Sequence, residues 1–72
     1  MGIAKRTASA IYQMAGKRNV DVCYELDRLQ MTRQSLYQYM HGRYTPSAHL
    51  LQRMALAGYD VVWILTGGNN ES

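Results

Sequence analysis

The chain has 72 residues, 47% of them hydrophobic, and eight Lys and Arg against five Asp and Glu give a net charge of +3. A chain this short is one small domain that buries only about 60% of its unfolded surface. Its apolar content excludes a disordered tail, and it has no apolar run long enough for a membrane span. A single cysteine, Cys23, excludes an intrachain disulfide and a cysteine-based zinc cluster. It fits a reducing, cytoplasmic setting and reads as a small buried hydrophobe.

Ile3 to about Ala15 reads as a first helix. Ile3, Ala4, Ala8, Ile11, Met14 and Ala15 form its apolar stripe, with Lys5, Arg6, Ser9 and Gln13 opposite. Gly16 is the expected stop, and Lys17-Arg18-Asn19 the connector. Lys17 and Arg18 suit contact with a phosphate backbone and suit a solubilising loop equally. A second helix runs from roughly Asp21 to Leu29, capped by Asn19 or Asp21. Val22, Leu26 and Leu29 make its core edge, and Gln30-Met31 forms a tight turn.

Thr32 opens a third helix as N-cap, and Gly42 closes it at the position where a left-handed backbone is wanted. Leu36, Tyr39 and Met40 fall on one side. Arg33, Gln34, Tyr37, Gln38 and His41 fall on the other, which has no carboxylate. Arg matches guanine O6/N7 and Gln matches adenine N6/N7, in a major groove wide enough to admit a helix. Taken without its neighbours, such a face reads as ordinary solvated surface. His41 sits where a cation suits the helix dipole and a phosphate is within reach.

Thr45-Pro46 is the expected start of a fourth helix, because Pro suits the first helical position. Leu50, Leu51, Met54 and Ala55 should point inward, and His49, Gln52, Arg53 and Leu56 away, with Gly58 as the stop. Asp60 caps a last short helix, Val61–Leu65, ending at Thr66-Gly67-Gly68. That helix is apolar all round. Either its own domain wraps it, or Val62, Trp63 and Ile64, with Leu56, meet a second copy in a homodimer. The expectation is an all-α domain of five short helices over residues 1–68 and a flexible tail over residues 69–72.

The acids are Asp21, Glu25, Asp27, Asp60 and Glu71, so the stretch from Arg28 to Tyr59 holds Arg28, Arg33, Arg43 and Arg53 and no acid. An acid-free basic middle points to a polyanionic partner. His41 and His49 lie on different helices with no Cys, Asp or Glu at ligand spacing, which argues against a metal site. Glu25 and Asp27 are two apart on a helix and do not converge as an acid/base pair. No catalytic group, cofactor site or small-molecule ligand is evident, and an enzyme is not expected. Nor is there the aromatic sheet or glycine loop of an RNA-binding module.

Thr32-Arg33-Gln34-Ser35-Leu36-Tyr37-Gln38, then Gly42-Arg43 and Pro46, resembles the recognition helix and following loop of lambdoid phage repressors and Cro proteins. Leu50-Leu51-Gln52-Arg53-Met54-Ala55 through Gly58-Tyr59-Asp60-Val61-Val62-Trp63-Ile64-Leu65-Thr66-Gly67 resembles the end of the same domain. The resemblance covers roughly residues 20–68. It implies a lambda-repressor-like helix-turn-helix domain that binds a palindromic double-stranded DNA operator as a dimer, in a phage or prophage repressor. By that resemblance Arg33, Gln34, Tyr37 and Gln38 read bases, with Ser35 turned toward the side. Thr32 lies at a phosphate, and Arg43 and Tyr44 lie in a loop along the backbone. The sequence departs from the family in three places. Gln30 stands where the turn usually has Gly. Glu25 and Leu26 replace an apolar and a small residue. Met40 replaces a Glu that pairs with a base of the first helix. Members often continue into a second domain, so the chain is either a short Cro-like regulator or the first domain of a longer one. The alternative function is a protein-interaction module of antitoxin or antirepressor type.

Overall fold

Residues 1–68 are described by a computed structural model, and the tail expected over residues 69–72 lies outside them. The helices are α1 (Ile3–Arg18), α2 (Val22–Leu29), α3 (Arg33–Met40), α4 (Ala48–Leu56) and α5 (Val61–Thr66). There is no strand among the described residues.

Local chemistry sets most of the boundaries. The side chains of Asp21, Thr32, Ser47 and Asp60 accept from the amides of Cys23, Ser35, Leu50 and Trp63, so four helices start on a side-chain cap. Helices α1 to α4 all end alike. A left-handed residue (Asn19, Gln30, Gly42 or Gly58) follows each one. The amide after it bonds back to a carbonyl in the last turn: Val20 to Ala15, Met31 to Leu26, Arg43 to Gln38 and Tyr59 to Met54, each at 2.9 Å. Gln30 thus takes φ 57° where a glycine would be unstrained.

Two boundaries differ from expectation. Gly16 does not stop α1, which runs through Lys17 and Arg18 to Asn19. A glycine inside a helix costs only about 1 kcal/mol relative to alanine. That cost is offset by Arg18, whose Nη2 donates to the Ala57 carbonyl at 2.6 Å. Helix α4 begins at Ala48 and not at Thr45-Pro46. Ser47 supplies the cap, and Pro46 is buried just before it.

The core runs along α1. Ala4, Ala8 and Ile11 share one buried cluster with Leu26 and Leu29 of α2, Leu36 and Tyr39 of α3, Leu50 and Met54 of α4, and Ile64 of α5. Fully burying each large aliphatic contributes about 1.5–3 kcal/mol. Thr7 is buried too, its hydroxyl donating to the Ile3 carbonyl at 2.8 Å. Met40 and Ala55, expected inward, are exposed. Met40 lies at the edge of its helix, where Tyr12 Oη donates to its Sδ at 3.6 Å.

A charged group also sits in the interior. Glu25 is 0% exposed. Tyr59 Oη donates to its Oε1 at 2.7 Å, Arg28 lies 3.5 Å from the same oxygen, and Arg18 Nε lies 3.6 Å from Oε2. Two partly exposed guanidiniums and a phenol therefore balance one carboxylate. They join the end of α1, the middle of α2 and the turn after α4. Burial and the neighbouring carboxylate both raise the Tyr59 phenol well above its ordinary pKa.

Candidate nucleic-acid interface

The outer face of α3 is built from its two ends. Thr32 Oγ1 accepts from the Ser35 amide at 3.0 Å, and the same hydroxyl donates to Ser35 Oγ at 3.1 Å. Leu36 and Tyr39 anchor the opposite side in the core. Arg33, Gln34, Tyr37 and His41 are left exposed, with Gln38 and Ser35 half-buried at the margin. The loop after Gly42 turns back along this face. Arg43 Nη1 donates to Gln38 Oε1 at 3.4 Å, and Tyr44 stacks edge-on against Tyr39 with ring centroids 5.6 Å apart. Tyr37 and His41 lie 4.2 Å apart between ring centroids. Thr32, Arg33, Gln34, Tyr37, Gln38, His41, Arg43 and Tyr44 therefore belong to one continuous helix-and-loop surface.

Arg33 is steered from α2. Its Nη2 donates to Cys23 Sγ at 3.1 Å, a contact that raises the guanidinium pKa further. Cys23 is half-buried, and so it is not the buried hydrophobe expected from sequence. One carboxylate borders this edge. Asp21, the α2 cap, is held below the usual carboxylate range mainly by the Cys23 amide that donates to it. Helix α3 and its loop carry none.

Lys17 and Arg18 do not join this surface. Arg18 is taken up by Glu25 and the Ala57 carbonyl. Lys17 lines a groove of about 310 Å³ between α1 and α5, together with Gln13, Asp60 and Trp63. Two residues of α1 that sequence reasoning passed over do lie beside α3. Tyr12 touches Met40, and Lys5 Cε is 3.7 Å from where a Cβ on Gly42 would sit. Their spacing of seven residues, which puts both on one edge of α1, was the available clue.

On α5, Ile64 is 0% exposed and belongs to the core, so the expectation that it meets a second copy is corrected. The wheel places it opposite Val62 and about a quarter-turn from Leu65, and those two are about half exposed. Trp63 is half-buried, and Leu56 at the end of α4 is 83% exposed. Leu65, and not Ile64, is therefore the side chain left exposed beside Val62.

Among the described residues no three His, Cys, Asp or Glu side chains come together as a metal site, and no helix is long and apolar enough to cross a membrane. Comparison with known protein families, with curated proteins and with solved structures finds no match to this chain.

Proposed function

We propose that the chain is a sequence-specific double-stranded DNA-binding regulator of the lambda-repressor-like helix-turn-helix type. In this reading α2 and α3 are the paired helices, and α3 enters the major groove. The observation that carries it is the exposed α3 face. Arg33, Gln34, Tyr37 and Gln38 project from one short rod, His41, Arg43 and Tyr44 continue it, and no carboxylate lies on that helix or loop. Arg33, Gln34 and Gln38 read base edges, each good bidentate pair contributing about 1–3 kcal/mol of discrimination. Thr32, His41, Arg43 and Tyr44 hold phosphates and fix register.

A homodimer completes the mechanism. Leu56, Val62 and Leu65 leave apolar surface in water, and Trp63 is only partly covered. Pairing through these side chains removes it from water. Two copies of α3 then meet successive major grooves about 34 Å apart on a two-fold site. A protein seated there blocks polymerase by occupancy alone, as expected of a phage-type repressor.

The deciding experiment is selection from a randomised duplex pool at stated salt. One palindromic site should be enriched, and Gln34→Ala should relax the choice at one position in each half-site. Arg43→Ala should weaken all sequences alike. Failure to enrich any site, with binding insensitive to salt, refutes the reading.

A further inference from the structure

The four cations of α1 have different surroundings. Arg6 Nε donates to the Ile64 carbonyl at 2.8 Å and its Nη2 to the Leu65 carbonyl at 3.3 Å, so it caps the end of α5. It also fills the space a side chain at Gly67 would need. Arg18 is held by Glu25, and Lys17 faces Asp60 and Trp63. Lys5 alone of these four lies against the loop that follows α3. It lines an open groove of about 320 Å³ with Gly42, Tyr44 and Thr45. Two turns along the same edge, Tyr12 is about half exposed and rests on Met40, at the Arg33 side of α3.

We infer that this edge of α1 is a second wall of the DNA interface, with Lys5 neutralising a backbone phosphate and Tyr12 turning its hydroxyl from Met40 Sδ to another. The inference rests on the DNA-binding reading and adds residues to it. Lys5 and Tyr12 are about 10 Å apart along α1. That separation is enough for the two side chains to reach different phosphates. Both belong to the longest helix, packed on α2, α3 and α5, so their positions are fixed by the core. Tyr44 and Thr45, across the groove from Lys5, add two hydroxyls to the same rim. Double-stranded DNA fits this wall better than an acidic protein does, because Lys5 and the Tyr12 hydroxyl are strung along a helix edge beside the carboxylate-free α3.

The test is the salt dependence of binding to a random-sequence DNA duplex, where the electrostatic term dominates. Lys5→Gln is compared with Lys17→Gln, which removes the same charge from the other end of the same helix. Both residues are exposed, and circular dichroism checks that both variants fold. Each lost phosphate contact lowers the slope of log K against log salt by about 0.9. Between 50 and 200 mM salt, wild type should therefore lose about threefold more affinity than Lys5→Gln. Lys17→Gln should keep the wild-type slope. Tyr12→Phe should weaken binding severalfold with the slope unchanged. Equal slopes for wild type and Lys5→Gln, or equal reductions in both lysine variants, overturn the inference while leaving the regulator reading intact. A wild-type chain that binds no duplex refutes both.

Discussion

Replacing Tyr59 with Phe removes one oxygen and keeps the ring. That oxygen donates to Glu25 Oε1 at 2.7 Å, and Glu25 Oε2 has no hydrogen-bond donor, only Arg18 at 3.6 Å. The carboxylate is fully buried, so water does not replace the lost donor. A hydrogen bond to a charged group contributes about 1.5–3 kcal/mol, and Tyr59→Phe should destabilise by about 2 kcal/mol. A domain of this length has about 4–11 kcal/mol in all. The melting temperature should therefore fall by about 8–16 °C. Urea unfolding at neutral pH measures the loss, and a repeat at high pH tests its origin. The phenol is raised in the folded state, so its contribution is complete below the ordinary tyrosine pKa of about 10 and is lost as pH climbs beyond it. Wild type should lose stability on that limb, and Tyr59→Phe should lose less. What remains belongs to other groups, among them Tyr39, which burial also raises. A Tyr59→Phe protein within about 0.5 kcal/mol of wild type at neutral pH refutes the reasoning.

Other outcomes follow from the same structure. Gly16→Ala should stabilise by about 0.5–1 kcal/mol, since the position is helical and a Cβ there meets nothing within 4 Å; a loss in urea midpoint would show that α1 bends at that point. Gln30→Gly should stabilise by about 0.5–1 kcal/mol by relieving a left-handed backbone, read from the same midpoint. Leu65→Glu with Leu56→Glu should leave the fold intact and halve the mass in solution, whereas Ile64→Glu should unfold the chain. An unchanged mass in the folded double variant, or a monomeric parent, removes the dimer. Gln38→Ala should relax base choice with little change in random-duplex affinity, and an unaltered selected site counts against its role.

The parts of this fold legible in sequence are those decided within four residues. Thr32, Asp21 and Asp60 cap the helices they precede, and Gly42 and Gly58 end the helices before them, because each choice compares only local hydrogen bonds. Gly16 and Pro46 misled for the complementary reason. Glycine tolerates a helix interior and proline suits a loop as well as a first turn, so distant partners, namely the Ala57 carbonyl for Arg18 and the core around Pro46, decided their place. The side of α5 that turns inward was not legible either. A helix with apolar residues all round shows no preferred face until α1 and α4 are packed against it. Glu25 was the hardest case. The resemblance put Glu25 at an apolar position but did not show what would balance its charge, and its partner Tyr59 is 34 residues away. The candidate interface was more legible than the core, since most of it is one stretch of chain, Thr32 to Tyr44. Lys5 and Tyr12 were missed because only the packing of α1 on α3 brings them there.

Helix α3 has eight residues. Isolated helices below about 12–15 residues are marginal in water. Excised as a peptide, Thr32 to Tyr44 would be a coil, its arginine and glutamines no longer in register. Any lesion that loosens Ile11 or Leu36, far from the solvent face, should therefore abolish recognition as thoroughly as cutting away Gln34. If the chain binds DNA as proposed, heat should abolish that binding at its melting point and not before.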